Sequence, residues 1–361
     1  MAPSMLAEQV RENLAAAFDV VVVVVSYARP DDVVACVGAL RRLRPEPTFE
    51  VFVAENGGAE AFDRLAEALS REAGSSAIPA DETLPSPPQA LRVASFATQR
   101  DDGSPGPRIH LAEMSENLGY AGGINAWLRP LLGVQRWRGV WILNPDTEPE
   151  PDALAELAAY AVREDKGLVG SRLVQKANRT VVQTRGLAWS RLRGTVSAIG
   201  RATAGVEPSS SSIEAQLDAP SGASMYATRE LIDSIGLMSD HYFLYGEDLE
   251  WGVRAKRYGH AVGYADSSVV PHEGGSTIGS ARRRRDRSPL SVYLDLRNRL
   301  ILAREHYWPW LPWTLVMALA EIGAIACAGS WPNVVAALNG FFAGLLGETG
   351  RPNNFSRLVR R

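Results

Sequence analysis

Residues Val20–Val25 are six consecutive valines. A β-branched side chain at every position stiffens χ1 and favours an extended chain over a helix. Nothing polar alternates with the valines, so neither face of such a strand is meant for water. A short, unbroken apolar run of this kind reads as a strand buried on both faces, inside a parallel sheet covered by helices. The run is too short for the apolar region of a secretion signal, and Glu8, Glu12 and Asp19 precede it where basic residues would be needed.

From Asp19 onward, strand, loop and helix alternate, which implies a doubly wound, mostly parallel α/β sheet. Residues 1–18 read as a short N-terminal helix with no assigned role. After "SYARPDD", Asp31 or Asp32 is placed to cap a helix running through Leu43. "FEVFVAEN", "RIHLAEM" and "GVWILN" read as further strands. Residues 74–107, rich in Ser, Pro, Gly and Asp, read as an insertion or mobile loop with a short strand at Leu91–Phe96. The 361 residues carry 38 basic and 41 acidic side chains, a net charge of −3, which gives no general basis for nucleic-acid binding. Two cysteines, Cys36 and Cys327, make no disulfide framework and fit a reducing compartment.

Ligands of such sheets bind beyond the carboxyl ends of the strands. Ser26-Tyr27, Glu55-Asn56, Glu116-Asn117 and Asn144-Pro145-Asp146 all fall there, so four polar clusters are expected to converge on one crevice. "ENLGYAGGINAWL" is a glycine-rich turn opening a helix; Gly119, Gly122 and Gly123 allow close backbone approach, and the helix start favours an anion. It is not G-x-G-x-x-G, and no G-x-x-x-x-G-K-[ST] loop occurs, so neither a nicotinamide cofactor nor a P-loop is indicated. Asp146 is a hard oxygen ligand suited to Mg2+ or Mn2+ shared with phosphates. Glu148 and Glu150, between prolines, read as acids flanking a helix start.

The densest stretch runs from Ser221 to Gly275. Glu247-Asp248 opens a helix, where acids suit the dipole. Tyr242, Phe243, Tyr245 and Trp251 are expected to desolvate Asp248 in part, making it a stronger base. His272 ends a strand and, beside a carboxylate metal site, becomes a ligand candidate.

In order and spacing, "VVVSYARPDDVVACVGAL", "VFVAEN", "ENLGYAGGINAWL", "ILNPDTEPEPDAL", "FLYGEDLEWGVRAKRYG" and "VVPHEGGST" resemble the family 2 glycosyltransferases of GT-A fold over roughly residues 19–278. "YLDLRNRLILAREHY" further resembles the segment that follows the catalytic domain in bacterial rhamnosyltransferase-like and galactofuranosyltransferase-like members. The resemblance implies a GT-A catalytic domain over 19–280 and an inverting transfer of a rhamnose-like or galactofuranose-like sugar. The donor would be dTDP- or UDP-linked, and the acceptor a lipid-linked or cell-envelope glycan. It implies Asp146 and His272 at the metal and diphosphate, Asn144 where the first Asp of D-x-D often stands, and Asp248 as the base that deprotonates the acceptor. Ser26, Tyr27, Glu55, Asn117 and Gly123 fall to the nucleotide, and Asn144, Glu247 and Trp251 to the donor or acceptor sugar. Glu55 stands where the family usually has Asp, and Ala28 where it often has Asn.

Beyond residue 280 the composition changes. Arg282–Arg285 suit anionic headgroups, and Trp308, Trp310, Trp313 and Trp331 suit a membrane interface. Leu311–Ala328, broken by Glu321, and Val334–Leu346 are apolar. Residues 281–361 are therefore read as a helical region, with Tyr293, Leu296 and Leu300 on one stripe. Such a region would lie on the cytoplasmic face of the cell membrane, form a homodimer or domain core, or span the bilayer. Two other functions compete: a sugar nucleotidyltransferase, which would want a basic glycine-rich loop where "SYARPDD" is acidic, and an inactive membrane-bound glycan-binding module.

Overall fold

The computed structural model describes residues 18–72, 74–79, 84–134, 137–200, 202–203, 208–274, 286–353 and 355–359. The helix expected over 1–18, but for Phe18, and the arginines 282–285 lie outside the described residues. The first half of the chain supplies strands β1 (Val20–Ser26), β2 (Phe49–Glu55), β3 (Ser75–Ile78), β4 (Ala90–Thr98), β5 (Ile109–Met114) and β6 (Gly139–Leu143), with helices α1 (Pro30–Arg41), α2 (Ala59–Arg71) and α3 (Gly119–Leu131) between them. The second half adds α4 (Ala153–Arg163), β7 (Leu168–Gln175), β8 (Val181–Thr184), β9 (Leu187–Ser190), β10 (Thr195–Ala198), β11 (Ala202–Thr203), α5 (Ser210–Glu214), β12 (Ser224–Thr228), α6 (Arg229–Ile235), α7 (Glu247–Arg257) and β13 (Val262–His272). Helices α8 (Pro289–His306), α9 (Leu311–Cys327), α10 (Trp331–Leu346) and α11 (Phe355–Val359) complete it.

These strands form one mixed, mostly parallel sheet in the order β11-β8-β7-β12-β6-β1-β2-β5-β4-β3, with β13 beside β7; β9 and β10 pair separately. The valine run is its centre: β1 lies parallel to β2 and to β6. Its side chains part to opposite faces as a strand requires. Val21 and Val23 join the core under α3 and α7, with Trp127, Leu128 and Trp251, while Val20, Val22 and Val24 join the core under α1, α2 and α4, with Cys36, Leu40, Leu65 and Leu157. Both faces being dry, no polar alternation is left for the sequence to display.

Two local expectations change. Residues 74–107 carry β3 and β4, which extend the sheet antiparallel from β5. The strand expected at Leu91–Phe96 is β4. Its pattern was weak because Leu91 and Arg92 face water and only the second half of the strand is buried. Helix α1 has no side-chain cap: Pro30 takes the first turn, and Asp31 and Asp32 sit within it as dipole-matched acids.

The C-terminal helices pack onto the sheet domain rather than trailing from it. Helix α8 is buried nearly all round, from Leu290 to Ala303. Tyr293, Leu296 and Leu300 are indeed buried, but so are all the intervening residues except Asp295, including Arg297 and Asn298. Helix α10 meets α8 backbone to backbone: a Cβ on Gly340 would fall 2.3 Å from the Tyr293 carbonyl oxygen, and one on Gly344 2.9 Å from that of Arg297. Only glycine permits that approach.

Candidate active site

The carboxyl ends of β1, β2, β5, β6 and β13 open into one cavity of about 480 Å3. Ser26, Tyr27, Asn56, Asn117, Tyr120, Asn144, Asp146, Glu247, Asp248 and His272 line it. The antiparallel β12 reaches the same end through its lead-in, Ser221–Ala223. The convergence expected of the strand-end clusters is thus geometrically real for most of their members.

Asp146 and His272 meet because the chain leaving β6 runs along the end of β13. Thr147 bridges His272, and the Glu148 and Glu150 amides donate to Pro271 O and Val269 O. His272 Nε2 then lies 3.3 Å from Asp146 Oδ1 and 3.3 Å from Asn144 Nδ2. The Gly274 amide donates to Asp146 Oδ2. The other ring nitrogen faces Gln183 Oε1 at 2.9 Å, and Gln183 Nε2 donates to the His272 carbonyl. That second bond orients the Gln183 amide, so Nδ1 carries a proton and donates to Oε1, which leaves Nε2 facing Asp146. An imidazole nitrogen and a carboxylate oxygen this close can serve as two ligands of one cation. Among the described residues no third His, Cys, Asp or Glu joins them. The pair therefore fits a divalent ion that takes its remaining ligands from phosphate and water. Glu148 does not contribute; it is held by Lys176 at 2.7 Å.

Across the cavity, Asp248 Oδ2 accepts from the Gly222 amide at 3.0 Å and Oδ1 from the Leu249 amide at 2.8 Å. Burial raises the Asp248 pKa above the usual carboxylate range, against these two bonds that hold it down. Glu247, 4% exposed, is pushed up as well, by burial and by the neighbouring Asp248. Its Oε2 has no hydrogen-bond partner among the described residues. Two adjacent buried carboxyls thus titrate as a coupled pair, both held above the ordinary range, with the Asp248 charge favouring the neutral form of Glu247.

The loop before them is bent sharply. Leu244 N donates to Tyr242 O across Phe243, whose φ is 65°. Tyr245 has φ 69° and Gly246 φ 94°. Positive φ at Phe243 and Tyr245 costs on the order of 1–3 kcal/mol each, which the surroundings must offset. One side of the loop is held by α3: Tyr120 N donates to Phe243 O at 2.7 Å, and a Cβ on Gly119 would fall 2.1 Å from that oxygen.

Three expected site residues do not face the cavity. Trp251 is fully buried in the core and donates through Nε1 to Gly236 O, because its position on α7 points under the sheet rather than toward the strand ends. Gly123 serves packing: a Cβ there would meet Val25 at 2.9 Å, so glycine lets α3 lie on β1. Glu55 lies behind the wall with both oxygens engaged, taking Ser26 Oγ at 2.5 Å, Ala28 N at 2.9 Å and Gly57 N at 2.7 Å. It fixes the turn in which Ala28 has φ 54°, a conformation Asn tolerates better than Ala. Asn56, expected at the crevice only as part of its strand-end cluster, donates to Gly119 O, and Tyr120, which sequence reasoning did not single out, donates through its hydroxyl to Gly222 O. Tyr120 stands inside a quoted motif, but nothing in spacing alone marked it out.

Comparison with known proteins follows the same lines. Residues 87–289 match the family model described as glycosyltransferase like family 2. A low-salt glycan biosynthesis hexosyltransferase, Agl10 of Haloferax volcanii, is 24% identical over 195 residues, which cover 54% of this chain and 59% of that protein. The chain thus spans under two thirds of that relative's length. Among solved structures, GalNAc-T7 with UDP, GalNAc and Mn2+ aligns with 80% of this chain and 48% of its own, at 13% identity and a TM-score of 0.51. A mannosyltransferase of Pyrobaculum calidifontis with GDP-Man and Mn2+ aligns over 95% of both chains at 14% identity and a TM-score of 0.48.

Proposed function

Because the chain belongs to the glycosyltransferase like family 2, we propose that it transfers a hexose, rhamnose-like or galactofuranose-like, from a nucleotide diphosphate donor to a hydroxyl of a lipid-linked or cell-envelope glycan, with inversion. The observation that carries this reading is that Asp248 and the Asp146–His272 pair share one cavity. A base and a diphosphate anchor must flank the same anomeric carbon, and here one open space joins them. Ser26, Tyr27 and Asn117 line the nucleotide side, with the Tyr27 ring, 41% exposed, as a stacking surface for the base.

In the displacement, Asp248 accepts the proton of the acceptor hydroxyl as that oxygen bonds to the anomeric carbon and the bond to the donor diphosphate breaks. The Gly222 amide keeps the carboxylate oriented while it does so. Glu247, whose neutral form burial and the Asp248 charge favour, lines the cavity on the side where a sugar hydroxyl would lie. Asp146 and His272 would hold Mn2+ or Mg2+, with Asn144 beside them. A bound divalent ion supplies charge neutralisation for the leaving diphosphate. GalNAc-T7, alike in fold and captured with UDP and Mn2+, supports that requirement.

The protein is assigned peripherally to the cytoplasmic face of the membrane. Trp308, in the turn before α9, and Trp331, each 73% exposed, together with Val316, Leu319, Phe342 and Leu346, make an apolar outer surface along α9 and α10. Trp308–Cys327 is also long and apolar enough by composition to cross a bilayer. Such a surface suits the headgroup boundary. Flotation with liposomes is expected; a protein that stays in the dense fraction at every lipid composition contradicts the assignment.

The activity is tested with a panel of dTDP- and UDP-linked sugars and lipid-linked acceptors, with and without Mn2+ or Mg2+. Metal-dependent release of nucleoside diphosphate is expected. Absence of release from every donor, in a protein that binds nucleoside diphosphate, would overturn the proposal.

A further inference from the structure

The bent loop Tyr242–Gly246 is gripped on the side away from α3 by helix α8. Asn298, 3% exposed, donates through Nδ2 toward three of its carbonyls: Tyr245 O at 2.7 Å, Leu244 O at 2.8 Å and Tyr242 O at 3.1 Å. The amide cannot turn over, because Asn298 Oδ1 accepts from Arg297 Nε at 2.9 Å. Arg297, with no exposed surface, uses its other nitrogens on Tyr242 O and Gly350 O, at 2.8 and 2.7 Å. A buried guanidinium and a buried amide, adjacent on one helix, thus spend their donors mainly on the backbone that delivers Glu247 and Asp248 to the cavity. A helix that merely packed would need neither group: buried polar side chains are costly unless their donors are used, and here all but the bonds to Gly350 O and between the two side chains go to one loop. The loop needs such a grip, since two of its non-glycine residues hold positive φ.

We propose that Asn298, itself locked by Arg297, is a positioning residue of the active site, and that α8 belongs to the catalytic unit. It fixes Tyr242–Gly246 so that Asp248 stays aligned with the acceptor oxygen. This rests on Asp248 being the general base. Misplacing a reacting group by about 1 Å costs on the order of 10²-fold in rate, whereas donor contacts across the cavity remain.

The test uses the full chain with Asn298→Ala, which removes the donors, and Asn298→Asp, which keeps the size and turns an acceptor toward the carbonyls. Both are expected to lower kcat by roughly 10²-fold while KM for the donor and the Kd of nucleoside diphosphate with Mn2+ stay within about threefold. A variant that binds nucleoside diphosphate is folded, so binding controls for collapse of the structure. Wild-type kcat in Asn298→Ala overturns the inference. So does joint loss of nucleoside diphosphate binding and cooperative unfolding in both variants, which would make Asn298 a support of the whole fold. Asp248→Asn measured alongside separates the two levels: full activity there removes the general-base reading itself, whereas its loss of activity beside an unaffected Asn298→Ala removes only the positioning role.

Discussion

His272 Nε2 stands 3.3 Å from Asp146 Oδ1 at the joined ends of β13 and the turn after β6. An imidazole nitrogen and a carboxylate oxygen at this distance make a donor pair suited to a divalent ion. Asp146→Ala is expected to abolish the Mn2+-dependent part of nucleoside diphosphate binding and leave the metal-independent part. Calorimetric titration with and without Mn2+ measures the difference; unchanged metal dependence would put the ion elsewhere.

Gln183 sets the His272 tautomer through the bond to Nδ1. Partners of this outer kind typically contribute 10- to 100-fold in metal affinity. Gln183→Leu is therefore expected to weaken Mn2+ binding by that order, read by the loss of the free-ion signal in electron paramagnetic resonance. An affinity equal to wild type would separate His272 from the metal.

The pair Glu247–Asp248 sets the pH profile. Asp248 must be ionised to take a proton, and burial raises its pKa. The acid limb of kcat is thus expected above the ordinary Asp range near 3.9, with activity lost as pH falls through it. Glu247 is raised as well, by burial and then by the Asp248 charge, which favours its neutral form. Glu247→Gln mimics that neutral form and should leave the acid limb in place, whatever it does to the maximal rate. A downward displacement of the limb by a full unit would show that both acids titrate together.

Much of this site could be read from the residues because its parts sit where chain direction changes. Val20–Val25 located the sheet, and each strand's polar successor located an edge of the cavity. Asp146, Asp248 and His272 were recognisable because a carboxylate or imidazole behind a buried strand or at a helix start is chemically conspicuous. Trp251 misled because it lies almost a full turn further along α7, away from the strand ends, where it packs into the core with Trp127 and Leu128. Glu55 and Gly123 misled differently: each does backbone work one layer behind the wall, and a motif does not distinguish wall from support. Asn298 was invisible as a site residue. Its partners lie more than fifty positions away and are main-chain carbonyls, which carry no sequence signal.

The central claim is that Asp248 takes the acceptor proton, and the rate of a single turnover in Asp248→Asn tests it most directly. The substitution keeps shape and removes basicity. With donor and Mn2+ saturating, the chemical step is expected to slow by about 10²–10⁴-fold, with nucleoside diphosphate binding unchanged. A single-turnover rate within a few fold of wild type would contradict the account.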